Sequence, residues 1–154
     1  MWQFGKKKHQ NIKDLRSADH KWVLLESNKE SDPLFVRFND SAFEWAKHPE
    51  LAIRVGFAIP LNLPSIEGLP NPDENEEFND IEDGLIELMN GTGPSVQVLA
   101  ITAGTFKEFV FYIKNAEGIE AAHKSAIAKF PSHEIQCMGK HDPEWEVYFD
   151  WKPA

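Results

Sequence analysis

The stretch VQVLAITAGTFKEFVFYIK, residues 96–114, decides how the rest of the chain is read. Val96 to Thr102 is rich in branched apolar residues and reads as a strand. Ala103-Gly104-Thr105 supplies a turn, and Phe106 to Lys114 returns as the hairpin partner. Inside the returning strand, FVFYI is apolar at every position, so residues pointing to both faces need cover. One face of the sheet is therefore not enough to build the core, and the flanking sequence must supply a layer on each side.

Upstream, Leu51 to Ile59 alternates, with Leu51, Ile53, Val55, Phe57 and Ile59 on one face of a third strand. The proline-rich loop PLNLPSIEGLPNP follows, and then a helix start: Asn71 as N-cap, Pro72 at the first helical position and Glu74 at the third. This helix is expected to run to about Met89, with Asn90-Gly91 as a left-handed exit. Downstream, Asn115 is expected to cap a helix from Ala116 to about Phe130, which Pro131 ends. Glu134 to Met138 completes a fourth strand. The order β-α-β-β-α-β predicts an α+β domain of ferredoxin-like type, a four-stranded antiparallel sheet with both helices on one face.

The N-terminal third adds an expected hairpin, Lys21 to Leu25 with Leu34 to Phe38, and a short helix at Ser41 to Lys47. This hairpin either extends the sheet or covers its second face. In HDPEWEVYFDW, residues 141–151, Trp145, Val147, Phe149 and Trp151 fall on one side at period two. That spacing predicts a final aromatic strand packed on the sheet, with a ligand-stacking platform as the functional alternative for Trp145 and Tyr148.

The length of 154 residues suits one domain, read as residues 17–154 behind a basic flexible N-terminus, 1–16. No run approaches the roughly 18 apolar residues of a membrane span, and the basic cluster Lys6-Lys7-Lys8 has no apolar segment of a signal peptide behind it. A cytoplasmic location follows as the expectation. Cys137, the single cysteine, excludes an intramolecular disulfide and any cysteine-cluster metal site, and its apolar surroundings in IQCMG suggest an inert thiol.

The net charge of −9 is confined to one segment: between Arg54 and Lys107 there are nine acids and no lysine or arginine. Such a surface repels a phosphate backbone, which argues against nucleic acid as a partner. On the first helix, Glu76, Asp80, Asp83 and Glu87 follow an i, i+4, i+7, i+11 stripe. This is either a solvated face or a surface for a basic protein partner.

Chemistry has few candidates. Glu82 falls inside the apolar arc of the first helix and His123 inside that of the second. The two helices are neighbours in this fold, so the pair could meet, either as a structural contact or as an acid/base pair of a small-molecule enzyme. DENEEFNDIEDG lacks the glycine of a calcium loop, the six histidines show no metal-ligand spacing, and no phosphate- or nucleotide-binding motif is present, so no metal or cofactor is expected. The stiff proline-rich loop around Gly68, Leu69 and Pro70 is the expected binding surface, with a plain sheet-to-helix crossover as its simplest role.

Several of these residues together resemble a bacterial family of domains of unknown function, number 695 in its series. The resemblance rests on Gly68-Leu69-Pro70, Ile81-Glu82-Asp83, Thr102-Ala103-Gly104 with Phe109 to Tyr112, and Asp142-Pro143-Glu144-Trp145 with Tyr148 and Pro153. It spans Trp22 to Pro153 in order and spacing, and departs at Lys107-Glu108, where the family's pattern has an arginine before the glutamate. That family is similar in architecture to the ribonuclease E regulator B family, and some bacterial chains join the two. The resemblance therefore implies a regulatory, protein-binding domain with no established reaction. Homodimerisation through a sheet edge or the aromatic end is compatible with this reading.

Overall fold

The computed structural model describes residues 9–15, 20–27, 33–65 and 67–153. In chain order the elements are β1 Trp22–Ser27, β2 Leu34–Asn39, β3 Ile53–Pro60, α1 Pro72–Gly91, β4 Ser95–Thr102, β5 Phe106–Ile113, α2 Ile119–Lys129, β6 Gln136–His141 and α3 Glu146–Trp151. Short 3-10 turns stand at Ile12–Asp14, Asp40–Trp45 and Ala116–Gly118. The strands form one six-stranded sheet in the order β1-β2-β4-β5-β3-β6, antiparallel throughout. The chain is thus α+β. Its N-terminal hairpin extends the sheet, with β2 paired to β4.

The doubly apolar β5 has the two cores it demands. Phe109, Phe111 and Ile113 face α1 and α2, where Val55, Phe57 and Ile59 of β3 meet Phe78, Ile81 and Leu85 of α1 and Ala122 and Ala126 of α2. Val110 and Tyr112 face the other way, into a core built with Trp45, Trp145 and Tyr148. In β4 a bulge between Gln97 and Leu99 shifts the register. Val96, Val98, Leu99 and Ile101 consequently all enter the second core, while Gln97 and Ala100 turn toward the helices.

The Asn71 side chain accepts the Glu74 amide at 2.8 Å, as the N-cap pattern predicts. The exit differs: α1 runs to Gly91, Thr92 is its C-cap, and the left-handed residue is Gly93 at φ 128°. α2 starts only at Ile119, after the 3-10 turn, and the Asn115 amide donates to the Thr92 carbonyl instead of capping it. β6 begins two residues later than its pattern suggests and ends three later. Leu51 does not share the face of Val55 and Phe57. It precedes the strand and packs in the second core.

The expected C-terminal aromatic strand is instead the helix α3. The Asp142 carboxylate accepts the Glu146 amide at its head, at 3.0 Å, and Trp145 and Tyr148, three residues apart, are both fully buried. Trp145 is held at φ 56°, a left-handed conformation unfavourable for a bulky residue. Its ring stacks on Tyr112 at 4.2 Å and its indole donates to the Leu51 carbonyl at 2.8 Å, contacts that offset the strain. Of the basic N-terminus, residues 1–8 and 16 lie outside the described residues. Ile12 and Leu15 pack against the second core.

Two buried carboxylates lock the loops to this frame. Glu74 accepts the Asn62 and Leu63 amides at 2.6 and 3.1 Å and meets His133 Nε2 at 2.7 Å, tying the proline-rich loop, α1 and the loop before β6 together. Asp142 accepts the Tyr112 hydroxyl at 2.7 Å and pairs with Arg54 at 3.3 Å. Burial opposes ionisation of both. For Glu74, the His133 contact and the two amides outweigh it; for Asp142, the Glu146 amide, the Tyr112 hydroxyl and Arg54 do. Both carboxyls are held below their ordinary range.

A folded-state pKa below the unfolded value gives stability that is complete above the unfolded value and lost as pH falls through the folded one. The urea midpoint should therefore fall as pH drops from about 5 to about 3. The double variant Glu74→Gln, Asp142→Asn should be less stable at neutral pH and lose much of that acid dependence. A wild-type midpoint that stays flat over this window would contradict the assignment.

Candidate functional site

Six strands are wider than two helices can cover, so the helix-side face of β1 and β2 is left as a shelf beside α1. Two hollows lie along it. The larger, about 290 Å³, is lined by Trp22, Arg37, Glu82, Asp83, Asn90 and Gln97 among others. The smaller, about 120 Å³, is lined by Leu24, Phe35, Arg37, Ala100 and Thr102 on this face. Arg37 borders both. Leu24, on the edge strand, is 77% exposed.

The polar hollow is built around Glu82. One terminal nitrogen of Arg37 donates to both of its oxygens, at 2.8 and 2.6 Å, and Gln97 Nε2 donates to Oε2 at 2.7 Å. Trp22 lies 5.2 Å from the Arg37 guanidinium and holds it in place through its ring face. Alternation in β2 aims Arg37 at α1, and the β4 bulge aims Gln97 there too. The buried position of Glu82 on α1 completes the triad.

The expected meeting of Glu82 with His123 does not occur. His123 Nε2 hydrogen-bonds the Ile135 carbonyl at 2.7 Å, and Glu82 is committed to Arg37 and Gln97. The reason is helical phase. The side of α1 that meets α2 is marked by Gly84, where an added Cβ would lie 2.4 Å from the Phe130 ring. Glu82 stands about 200° around the helix from Gly84 and so looks toward β2 and β4.

The acidic stripe is displayed as its spacing predicts: Glu76, Asp80, Asp83 and Glu87 are all exposed, and Asp83 also borders the polar hollow. The proline-rich loop is largely exposed and is pinned to the sheet at two points. Ser65 donates to the Gly104 carbonyl at 2.8 Å, and Gly68, at φ 84°, is buried against Pro33 and Phe35. A Cβ at Gly68 would come within 2.9 Å of Pro33, so glycine is required there on two counts. Leu69 is 52% exposed and Pro70 half-buried at the outer edge of the loop. Trp145 and Tyr148 are fully buried, with the Tyr148 hydroxyl donating to the Asn39 carbonyl, so they present no stacking platform.

Sequence reasoning missed Trp22, Arg37 and Gln97. The available signal was two polar residues within otherwise apolar strands, LFVRF and VQVLAIT, each opposite an acid set in a helix's apolar arc. Among the described residues no cluster of three His, Cys, Asp or Glu could hold a metal ion, and no helix is long and apolar enough to cross a membrane. Cys137 packs at the edge of the first core, where burial pushes its thiol up to about 11.

Two outcomes follow from this geometry. Arg37→Met should destabilise the chain by about 1–3 kcal/mol, because Glu82 keeps its burial and loses its charge partner. Adding Glu82→Leu should recover most of that loss, as read by urea unfolding. Additive losses in the double variant would show that the pair is not coupled. Cys137 should react with a disulfide reagent at pH 8 on the order of a hundredfold more slowly than a free cysteine, in keeping with its raised pKa.

Residues 20–151 match the Family of unknown function (DUF695), and the chain belongs to that family. No curated protein and no solved structure matches it.

Proposed function

We propose that this DUF695 domain is a non-enzymatic binding module, a cytoplasmic regulator that captures a basic amphipathic segment of another protein on the shelf beside α1. The observation that carries the reading is the adjacency of two unlike surfaces. An exposed row of four acids runs along α1, and next to it an edge strand presents Leu24 above an apolar hollow. A segment alternating cationic and apolar side chains satisfies both at once: its apolar residues enter the hollow and its cations face Asp80 and Asp83. β1 is an edge strand whose outer backbone groups can pair with such a segment. The strand order β6-β3-β5-β4, with α1 and α2 on one face, supports a ferredoxin-like reading of the centre, on which the N-terminal hairpin adds the shelf.

The test uses a labelled decapeptide of alternating lysine and leucine with an amidated C-terminus, followed by fluorescence anisotropy. Binding should weaken at least about tenfold between roughly 50 and 300 mM salt. It should be lost on Asp80→Lys with Asp83→Lys, and weakened by Leu24→Ser. Equal binding of a glutamate-leucine peptide, or indifference to the charge reversal, would reject the reading.

A further inference from the structure

The polar hollow runs along one flank of α1, where Glu82, Ile86 and Asn90 recur at i, i+4 and i+8 and all line it. Gln97 and Ser95, two residues apart on β4, line it from the sheet, and each is tied to that flank. Gln97 Nε2 donates to Glu82 at 2.7 Å, and the Ser95 hydroxyl donates to Asn90 Oδ1 at 2.7 Å. These bonds decide which atoms are left to meet a ligand. A carboxylate only accepts, so the Gln97 amide turns its nitrogen to Glu82 and keeps its carbonyl oxygen as an acceptor. Gln97 is 4% exposed, yet this oxygen stays within reach of water. Because β4 lies inside the sheet, between β2 and β5, that water is the water of the hollow. The Ser95 oxygen, its hydrogen directed to Asn90, is likewise an acceptor.

From this arrangement we infer a cation subsite: the polar hollow binds a primary ammonium on a short aliphatic arm, held by Gln97 Oε1 beside Glu82 and Asp83. Covalent geometry brings the first two together. Oε1 and Nε2 of Gln97 share one carbon and Nε2 touches Glu82, so a cation on the carbonyl oxygen lies beside the Glu82 carboxylate. Asp83, next on α1 and exposed, borders the same hollow. Charge agrees. With histidine neutral, the hollow is bordered by two carboxylates, Glu82 and Asp83, and one cation, Arg37. Adding Lys107, close enough to feel both Arg37 and Glu82, and Glu26, on the same face of β1 as Trp22, leaves the same excess of one negative charge. An anion is repelled by that excess, and a neutral ligand gains nothing from it. Trp22, Ile86 and Phe111 supply apolar wall for the arm. At about 290 Å³ the hollow is at the small end of ligand pockets, suited to a chain of lysine length and not to a nucleotide. The same ammonium is available from a free small amine or from a lysine side chain of another protein. A free amine needs neither Leu24 nor the β1 edge, so the subsite stands apart from the shelf.

The experiment titrates the full chain at pH 7 and constant ionic strength with pentylamine, 1-pentanol and pentanoate, following side-chain amide signals by NMR. Pentylamine, a cation at this pH, should bind at least about tenfold more tightly than the alcohol and shift the Gln97 amide, while pentanoate should not bind measurably. Gln97→Met, close in size and lacking the carbonyl, should abolish the advantage of the amine. Glu82 keeps both bonds from Arg37 in this variant, so it should fold. Asp83→Asn, an exposed change that leaves the core untouched, should weaken the amine about threefold and gives a second reading. Equal binding of amine and alcohol, or a preference for pentanoate, overturns the subsite. So does a folded Gln97→Met variant that still prefers the amine, or an amine that shifts only the exposed acids and leaves Gln97 unmoved. A further arm uses acetyl-Gly-Lys-Gly-amide: tighter binding than pentylamine assigns the subsite to a side chain of a partner, and weaker binding assigns it to a free amine. The alternating peptide probes the shelf through Leu24 and Asp80, neither of which lines this hollow, so its failure and the failure of this subsite are separately visible.

Discussion

The need of β5 for cover on both faces governs this structure. A strand reading FVFYI cannot leave either side in water, since each buried aromatic contributes about 1.5–3 kcal/mol only when its surface is removed from solvent. The α1 and α2 layer satisfies Phe109, Phe111 and Ile113. Among the described residues the opposite layer has no long helix. It is assembled from the 3-10 turn at Asp40–Trp45 and the six-residue α3, elements too short to be stable alone. Their anchors are consequently specific: Trp145 stacked on Tyr112, and Asp142 holding the Tyr112 hydroxyl, Arg54 and the first amide of α3. Tyr112 thus belongs to the sheet and to the anchor of its second cover at once.

Much of this was legible in the residues. Alternation gave β3 and the β4–β5 hairpin, and Asn71-Pro72 with Glu74 gave the head of α1, because these signals are local and have one physical reading. The C-terminal helix was not, for a definable reason. In WEVYFDW apolar residues occupy both odd and even positions, so period two and a three-residue spacing fit equally. The choice is made by Asp142, which supplies a helix-head acceptor, and by the Tyr112 ring waiting opposite Trp145. Both are tertiary facts. The placement of the N-terminal hairpin was undecidable for the same kind of reason, since Val36 and Phe38 can complete a core either as a sheet extension or as a lid.

The site shows the limit more sharply. That Glu82 is buried followed from its position in an apolar arc, but its partner did not. Two flanks of α1 were available, and the α2 flank is taken by Phe130 against Gly84, where no side chain but hydrogen fits. Glu82 is thereby turned to the flank where β2 and β4 lie, and a β4 bulge brings Gln97 to the same side. A bulge of this kind leaves little mark in VQVLAIT, whose apolar run hides the slip in alternation.

Among the described residues the buried charges of the two signs are accommodated differently. Glu74, Glu82 and Asp142 each accept two or more hydrogen bonds, so their burial is compensated inside the fold and they hold elements together. Lys107 is as buried as these over its length, with its ammonium near the ring faces of Phe78 and Phe109 and still within reach of water. The buried acids of this domain are internally complete and hold its elements together, whereas the exposed row on α1 takes no part in the core.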